Sequence, residues 1–82
     1  MNYNESSQLV LDAAALRAQG KHDQCIKLLE DNLSQIDSDA RLIALIQLFG
    51  AALGKGNDAL ARQTAREIAK VDPELPSIQS YL

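Results

Sequence analysis

The residues best suited to chemistry in this 82-residue chain are its one cysteine, Cys25, and its one histidine, His22. They are three positions apart, so a helix would place both on one face, where an imidazole could deprotonate a thiol. No neighbouring residue is placed to orient the imidazole, and no cationic cluster surrounds Cys25. We therefore interpret His22 as a turn or surface residue and Cys25 as a small core residue rather than a nucleophile.

The other chemical candidates lack the spacing that a site requires. Gly54-Lys55-Gly56 does not have the pattern of a phosphate-binding loop, and no strand precedes it. Acidic residues occur mainly at predicted helix ends, without the spacing of a metal site. These are Asp23, Asp37, Asp39, Asp58 and Asp72. The sequence therefore predicts no catalytic residue, no metal ligand and no cofactor, and we expect that the chain is not an enzyme.

Charge and hydropathy narrow the classes of partner. Eight Lys and Arg against eleven Asp and Glu give a net charge of −3, and the basic residues form no stripe that could follow a phosphate backbone. No apolar stretch reaches the roughly 18 residues of a membrane span. No basic residue precedes the short apolar run Leu9-Val10-Leu11, and Asp12 interrupts it, so no signal peptide is expected. We predict a cytoplasmic protein that binds neither nucleic acid nor membranes.

Composition favours helices throughout the chain. It contains 13 Leu and 12 Ala but only 2 Val, 6 Ile and 1 Thr, and strands favour β-branched residues. Both prolines lie near the end, at Pro73 and Pro76, so most of the chain has no helix breaker. The predicted fold class is all-α in a single domain spanning residues 1–82.

Apolar periodicity predicts four helices, joined by short turns, and a short fifth helix. The first helix begins near Ser6 and stops at Gly20, a residue suited to the left-handed conformation. The second begins at His22 or Asp23 and continues to about Ile36.

The third predicted helix is apolar on nearly every side and therefore needs neighbours on most sides. It runs from Asp39 to Leu53, with Ser38 as its N-cap and Gly54-Lys55-Gly56 as its end. The fourth begins after a cap at Asn57 or Asp58 and stops at Asp72-Pro73, and residues 76–82 form a short C-terminal helix with a proline at its start.

The chain also contains an internal repeat. Gly20 and Gly56, 36 positions apart, each lie in a turn between two predicted helices, and small residues follow them at Cys25 and Ala61. Each helical pair ends in an acidic boundary, at Asp37 in the first and at Val71-Asp72-Pro73 in the second. Close approach of two helices beside a turn requires small side chains, which accounts for these positions.

This pattern resembles the tetratricopeptide repeat, a helix-turn-helix unit of about 34 residues. The resemblance covers roughly residues 5–73, with repeat 1 at about 5–37, repeat 2 at about 38–73 and a C-terminal capping stub at 74–82. The chain departs from the family because Leu or Ala replaces the usual aromatic residues of the first helix in each repeat. Those positions are Leu9, Leu16, Leu45 and Ala52. A plain four-helix bundle is the alternative.

The resemblance implies a concave groove, formed by the first helix of each repeat, that binds ligands. Ser7, Ala14 and Gly50 are expected to line this groove. The predicted partner-binding residues are Val10, Arg17, Ile43, Ile46, Gln47 and Leu53. The groove would accept a peptide, a partner helix or a second copy of the chain. The opposing interpretation places Ile46 and Leu53 in an ordinary core, buried against the first helix or covered by the C-terminal stub.

The predicted function is a non-enzymatic protein–protein interaction module that binds a peptide or helix in an apolar groove. One alternative is a structural homodimer in which the groove is the dimer interface. Another follows from the resemblance, because small type III secretion chaperones with a similar repeat fold hold an amphipathic helix of a needle subunit. Two repeats should be marginally stable alone, which favours association with a partner or with a second copy.

Overall fold

The computed structural model describes all 82 residues and contains helices but no strand. Four α-helices are followed by a short 3-10 helix, which we call the C-terminal segment, and a further 3-10 turn, Leu33–Gln35, extends the second α-helix. The α-helices are α1 (Tyr3–Ala18), α2 (His22–Asn32), α3 (Ser38–Lys55) and α4 (Asp58–Ala69), and the C-terminal segment is Pro76–Tyr81. The all-α prediction is confirmed, and the predicted fifth helix exists in 3-10 form.

The start of α1 differs from the sequence prediction. The helix begins at Tyr3 rather than near Ser6, because Asn2 and Glu5 form a capping box ahead of the first apolar residues. The backbone N–H of Glu5 donates to Asn2 Oδ1 at 2.8 Å, and the backbone N–H of Asn2 donates to Glu5 Oε1 at 3.1 Å. These reciprocal bonds satisfy backbone groups that a helix start leaves unpaired.

The connection between α2 and α3 also corrects two predictions. Regular α-helix stops at Asn32 rather than Ile36, because the chain tightens into the 3-10 turn. The N-cap of α3 is Asp37 rather than Ser38: its side chain accepts from the backbone N–H of Asp39 at 2.9 Å. Since Asp37 already takes the capping role, Ser38 becomes the first helical residue.

The far end of α3 extends beyond its predicted limit. Gly54 and Lys55 remain helical, and the helix ends only where Gly56 adopts a left-handed conformation, with φ of 77°. The glycine at position 54 therefore does not terminate the helix. It has a packing role instead, since the imidazole of His22 lies where a Cβ would stand.

The two interhelical turns repeat the same hydrogen bonds. Gly20 and Gly56 both have φ of 77°, which favours glycine because it carries no Cβ. In each turn the residue after the glycine donates its backbone N–H to a carbonyl five positions earlier, at 2.9 Å. These bonds join Lys21 to Leu16 and Asn57 to Ala52. The 36-residue spacing seen in the sequence is therefore a spacing of backbone structure as well.

α3 lies at the centre of the fold and packs against α1, α2 and α4, as its apolar sequence predicts. A first apolar cluster joins α1 and α2 to one side of α3, and a second joins α4 and the C-terminal segment to another. The first contains Val10, Ala13, Cys25, Leu29, Ile36, Ala40, Ala44, Leu48 and Ala51. The second contains Leu45, Phe49, Ala52, Ala61, Ala65, Ile68 and Ile78. The small residues Cys25 and Ala61 are both fully buried, as predicted.

None of the four α-helices has the combination of length and apolarity needed to cross a membrane.

Candidate partner-binding face

The helices α1 and α3 lie side by side and run in the same direction. Near their N-terminal ends, the backbone N–H of Asp37 donates to Ser6 Oγ at 2.8 Å. Towards their C-terminal ends, Arg17 Nη1 donates to Gln47 Oε1 at 3.0 Å. We call the surface that these two helices share the α1–α3 face. Its residues are Tyr3, Ser7, Val10, Leu11, Ala14 and Arg17 of α1 and Ala40, Ile43, Ile46, Gln47, Gly50 and Leu53 of α3.

An apolar cavity of about 220 Å³ opens at the N-terminal end of this face. Three of its lining side chains are large, apolar and half or more exposed: Tyr3 at 51%, Leu11 at 62% and Ile43 at 50%. Val10 and Ala40 are buried, and Ser7 is the one polar lining residue. A hollow of this size is smaller than most sites for drug-sized ligands and suits a single apolar side chain better.

Arg17 occupies the C-terminal half of the face. Its guanidinium lies directly over Gly50, where the atoms of any Cβ would collide with it. The glycine therefore allows Arg17 to cross from α1 to α3 and reach Gln47. The three ion pairs in the structure involve other residues, so the guanidinium has a neutral amide but no carboxylate beside it.

The predicted partner-binding residues fall into three groups. Ile43 and Leu53 are exposed, at 50% and 40%, and are free to contact a partner. Arg17 and Gln47 form the hydrogen-bonded pair across the face, and Val10, only 7% exposed, forms part of the cavity wall. Their role in binding stays a prediction.

Ile46 differs from the other predicted residues because it is partly buried against the second apolar cluster. The interpretation that Ile46 belongs to the core is therefore partly correct, since the cluster includes residues of the C-terminal segment. The same interpretation fails for Leu53, whose side chain remains 40% exposed.

Sequence reasoning missed three residues that line the cavity, Ala40 of α3 and two residues of α1. The two missed residues of α1 are Leu11 and Tyr3, and Tyr3 precedes the predicted start of the helix near Ser6. Both residues follow the helical spacing of Ser7, four positions before it and four after it, and the capping box at Asn2 was the signal that could have brought Tyr3 into the helix.

The Cys25–His22 pair lacks the geometry of a nucleophile and its base. Cys25 is fully buried, and burial raises the pKa of its thiol despite the opposing influence of the Arg17 charge. His22 lies against Gly54, its Nδ1 is buried without a hydrogen-bond partner, and no hydrogen bond joins its imidazole to the thiol. A buried, protonated thiol is a poor nucleophile. That the chain is not an enzyme stays a prediction.

The two ends of the helical stack are closed in different ways. On the outer side of α1, four positions that correspond to buried residues of α3 are exposed and mostly polar. They are Asn4, Gln8, Asp12 and Ala15, which correspond to Ala40, Ala44, Leu48 and Ala51. At the other end, Ile78 of the C-terminal segment is fully buried, and Tyr81 stacks edge-on against Phe49 with 5.3 Å between ring centroids.

Searches of protein-family models, of curated proteins and of solved structures each find no match to this chain.

Proposed function

We propose that the protein is a non-enzymatic interaction module whose α1–α3 face binds an amphipathic helix or peptide of another protein. One observation carries this proposal: Tyr3, Leu11 and Ile43 surround an apolar cavity while remaining half or more exposed. Grouped exposed apolar side chains of this kind are typical of protein interaction sites, whereas isolated ones are ordinary. Val71, at 59% exposure, lines none of the cavities in the structure.

Both ends of the helical stack are closed, which also favours the α1–α3 face as the binding site. A further helical hairpin would require an apolar outer side on α1, and Gln8 and Asp12 instead hydrogen bond to each other there at 2.9 Å. The opposite end is covered by the C-terminal segment, with Ile78 at its centre. The grouped exposed apolar side chains of the α1–α3 face therefore favour association there over stacking end to end.

A homodimer is the second candidate, because the face carries both an apolar cavity and an exposed leucine. Leu53 lies at the opposite end of the face from the cavity that Ile43 lines. A two-fold axis across the face would bring the leucine end of one copy towards the cavity end of the other, as an isologous interface requires.

The resemblance to the tetratricopeptide family adds support from sequence, since that family binds ligands on the surface formed by the first helix of each repeat. A chaperone of the type III secretion kind, which shields the helix of a client protein, is the narrower form of the same proposal. A cytoplasmic location is part of it and remains to be tested by fractionation of cells.

The test compares three affinity baits: the wild-type protein, Ile43→Glu and the matched control Val71→Glu. Ile43 and Val71 are both exposed aliphatic residues, at 50% and 59%, but only Ile43 lies on the α1–α3 face. We expect wild type and Val71→Glu to retain the same partner and Ile43→Glu to lose it, because a charge in a desolvated apolar contact is costly. Equal retention by all three baits would reject the α1–α3 face as the site.

Sedimentation of the same three proteins tests the homodimer. If the protein is a homodimer, the mass of wild type and of Val71→Glu will increase with protein concentration to twice the mass of one chain. Ile43→Glu will stay monomeric at the same concentrations. A mass that is independent of concentration for all three proteins rejects it.

A further inference from the structure

The α1–α3 face carries one cation that the protein itself does not neutralise. Arg17 is partly buried, and its one hydrogen bond from the side chain goes to the neutral amide of Gln47 at 3.0 Å. A guanidinium offers five N–H donors in a planar fork that matches the geometry of a carboxylate. Most of that binding capacity remains unused within the chain.

The position of Arg17 is fixed by the residue beneath it. Because Gly50 has no Cβ, the guanidinium rests against α3 instead of extending into solvent. The bond to Gln47 holds it from a second direction. A side chain held in this way loses less conformational entropy when it binds a ligand than a free surface arginine would lose.

The cation and the cavity are separated by a defined distance along the face. Ile43 lines the cavity and Gly50 supports the guanidinium, and they are seven residues apart on α3. At 1.5 Å per residue this spacing corresponds to about 10 Å, or two helical turns. Asp39, which is exposed in the first turn of α3, is the one acidic residue of that helix.

We propose that the partner is an amphipathic helix with a large aliphatic residue and an acidic side chain seven residues apart. The aliphatic residue enters the cavity, and the side-chain carboxylate binds the Arg17 guanidinium. This inference rests on the proposed function and adds the chemistry of the partner to it. A basic residue at the same place on the partner helix would meet Arg17 as a like charge, so the face selects against it.

The experiment uses fluorescent amphipathic peptides with one Leu and one Glu seven residues apart, made with Glu on either side of the Leu. Companion peptides replace Glu by Gln or by Lys, or replace Leu by Ala. Anisotropy titrations with the wild-type protein at low salt should show about tenfold tighter binding of a Glu peptide than of its Gln companion, and weaker binding still of the Lys peptide. Replacement of Leu by Ala should also weaken binding, because the cavity is left unfilled.

Two protein variants assign the preference for Glu to Arg17. Arg17→Gln removes the charge, and we expect it to bind Glu and Gln peptides equally. Gly50→Ala keeps the charge but displaces the guanidinium, and we expect it to reduce the Glu preference while the helix remains folded, since Ala favours helix. Circular dichroism of both variants checks that they fold.

The outcomes separate this inference from the function on which it rests. Equal binding of Glu and Gln peptides to wild type, with binding lost in Ile43→Glu, would overturn the role of Arg17 and leave the α1–α3 face as the site. A Glu preference that persists in both Arg17→Gln and Gly50→Ala would also overturn it. If no peptide binds at millimolar concentration, both the inference and a helix-binding face are rejected.

Discussion

The two helical hairpins, α1–α2 and α3–α4, share a backbone design but present different surfaces at equivalent positions. Their turns have the same glycine conformation and the same hydrogen bonds, and Cys25 and Ala61 fill the same small space beside them. Away from the turns they diverge: Asp12 is exposed on α1, whereas Leu48, its equivalent on α3, is 4% exposed. The α1–α2 hairpin therefore forms one end of the helical stack, whereas α3 is buried between its neighbours.

The difference extends to the α1–α3 face itself. Ala14 on α1 corresponds to Gly50 on α3, and Arg17 corresponds to Leu53. The glycine gives room for the arginine of the other hairpin, so the two hairpins contribute complementary parts of one surface rather than repeating the same part. The two hairpins thus repeat one backbone structure but contribute different side chains to the α1–α3 face.

The largest expected effect comes from changing equivalent positions on the inner and outer sides of the stack. Leu48→Ala should lower the free energy of unfolding by about 2–5 kcal/mol, because it leaves a cavity where α3 packs against α1 and α2. The matched change Asp12→Ala should stay within about 0.5 kcal/mol of wild type, because the residue is exposed. Urea unfolding measures both, and equal effects would mean that the two helices are not packed differently.

A smaller effect is expected where the C-terminal segment closes the second hairpin. Ile78→Ala should cost about 2–3 kcal/mol, towards the lower end for a buried aliphatic residue, because a terminal segment can detach. Leu82→Ala, at a position that is 58% exposed, is the control and should be nearly neutral. Thermal melts will separate the two, and a neutral Ile78→Ala would show that the segment does not cover the core.

The two small positions beside the turns should respond alike to a larger side chain. Cys25→Leu and Ala61→Leu should each destabilise the protein by about 1–3 kcal/mol through overpacking, whereas Cys25→Ala should be nearly neutral. Urea unfolding of the three variants tests this. Tolerance of leucine at only one of the two sites would break the equivalence of the hairpins.

The helices could be predicted from the sequence, and so could the turns, because they depend on local periodicity and on glycine. Two of the boundaries that shifted depend on N-terminal caps: the Asn2–Glu5 box lengthened α1, and Asp37 replaced Ser38 at the start of α3. Both are local patterns and could have been recognised.

The geometry of the candidate site was harder to predict, because it depends on contacts between distant residues. The bond from Asp37 to Ser6 spans 31 positions, and the bond from Arg17 to Gln47 spans 30. Periodicity places Arg17 and Gln47 on the sides of α1 and α3 that face each other. It does not determine how far one helix is shifted along the other. That offset determines where the cavity opens.

One pH effect distinguishes the first hairpin from the second, which has alanine at the equivalent position. Burial raises the pKa of the Cys25 thiol in the folded protein, so the unfolded chain loses this proton first as pH rises. The stability that the protonated thiol contributes is fully present below the pKa of Cys25 in the unfolded chain. It is lost as pH rises through the pKa of Cys25 in the folded protein. We expect Cys25→Ala to gain stability relative to wild type between about pH 7 and pH 10. Urea unfolding at both pH values checks this, and an unchanged difference would contradict a buried thiol.

The central claim is that the α1–α3 face is open in the free protein and is not needed for folding. The unfolding free energy of Ile43→Glu tests this claim most directly. Ile43 is 50% exposed, so the substitution should cost less than about 1 kcal/mol and leave helicity unchanged. Val71→Glu, measured in the same urea titration, provides the reference for an exposed aliphatic residue off the face. A value for Ile43→Glu close to that of Val71→Glu agrees with an open face. Loss of several kcal/mol, or outright unfolding, would contradict it and place Ile43 in the core.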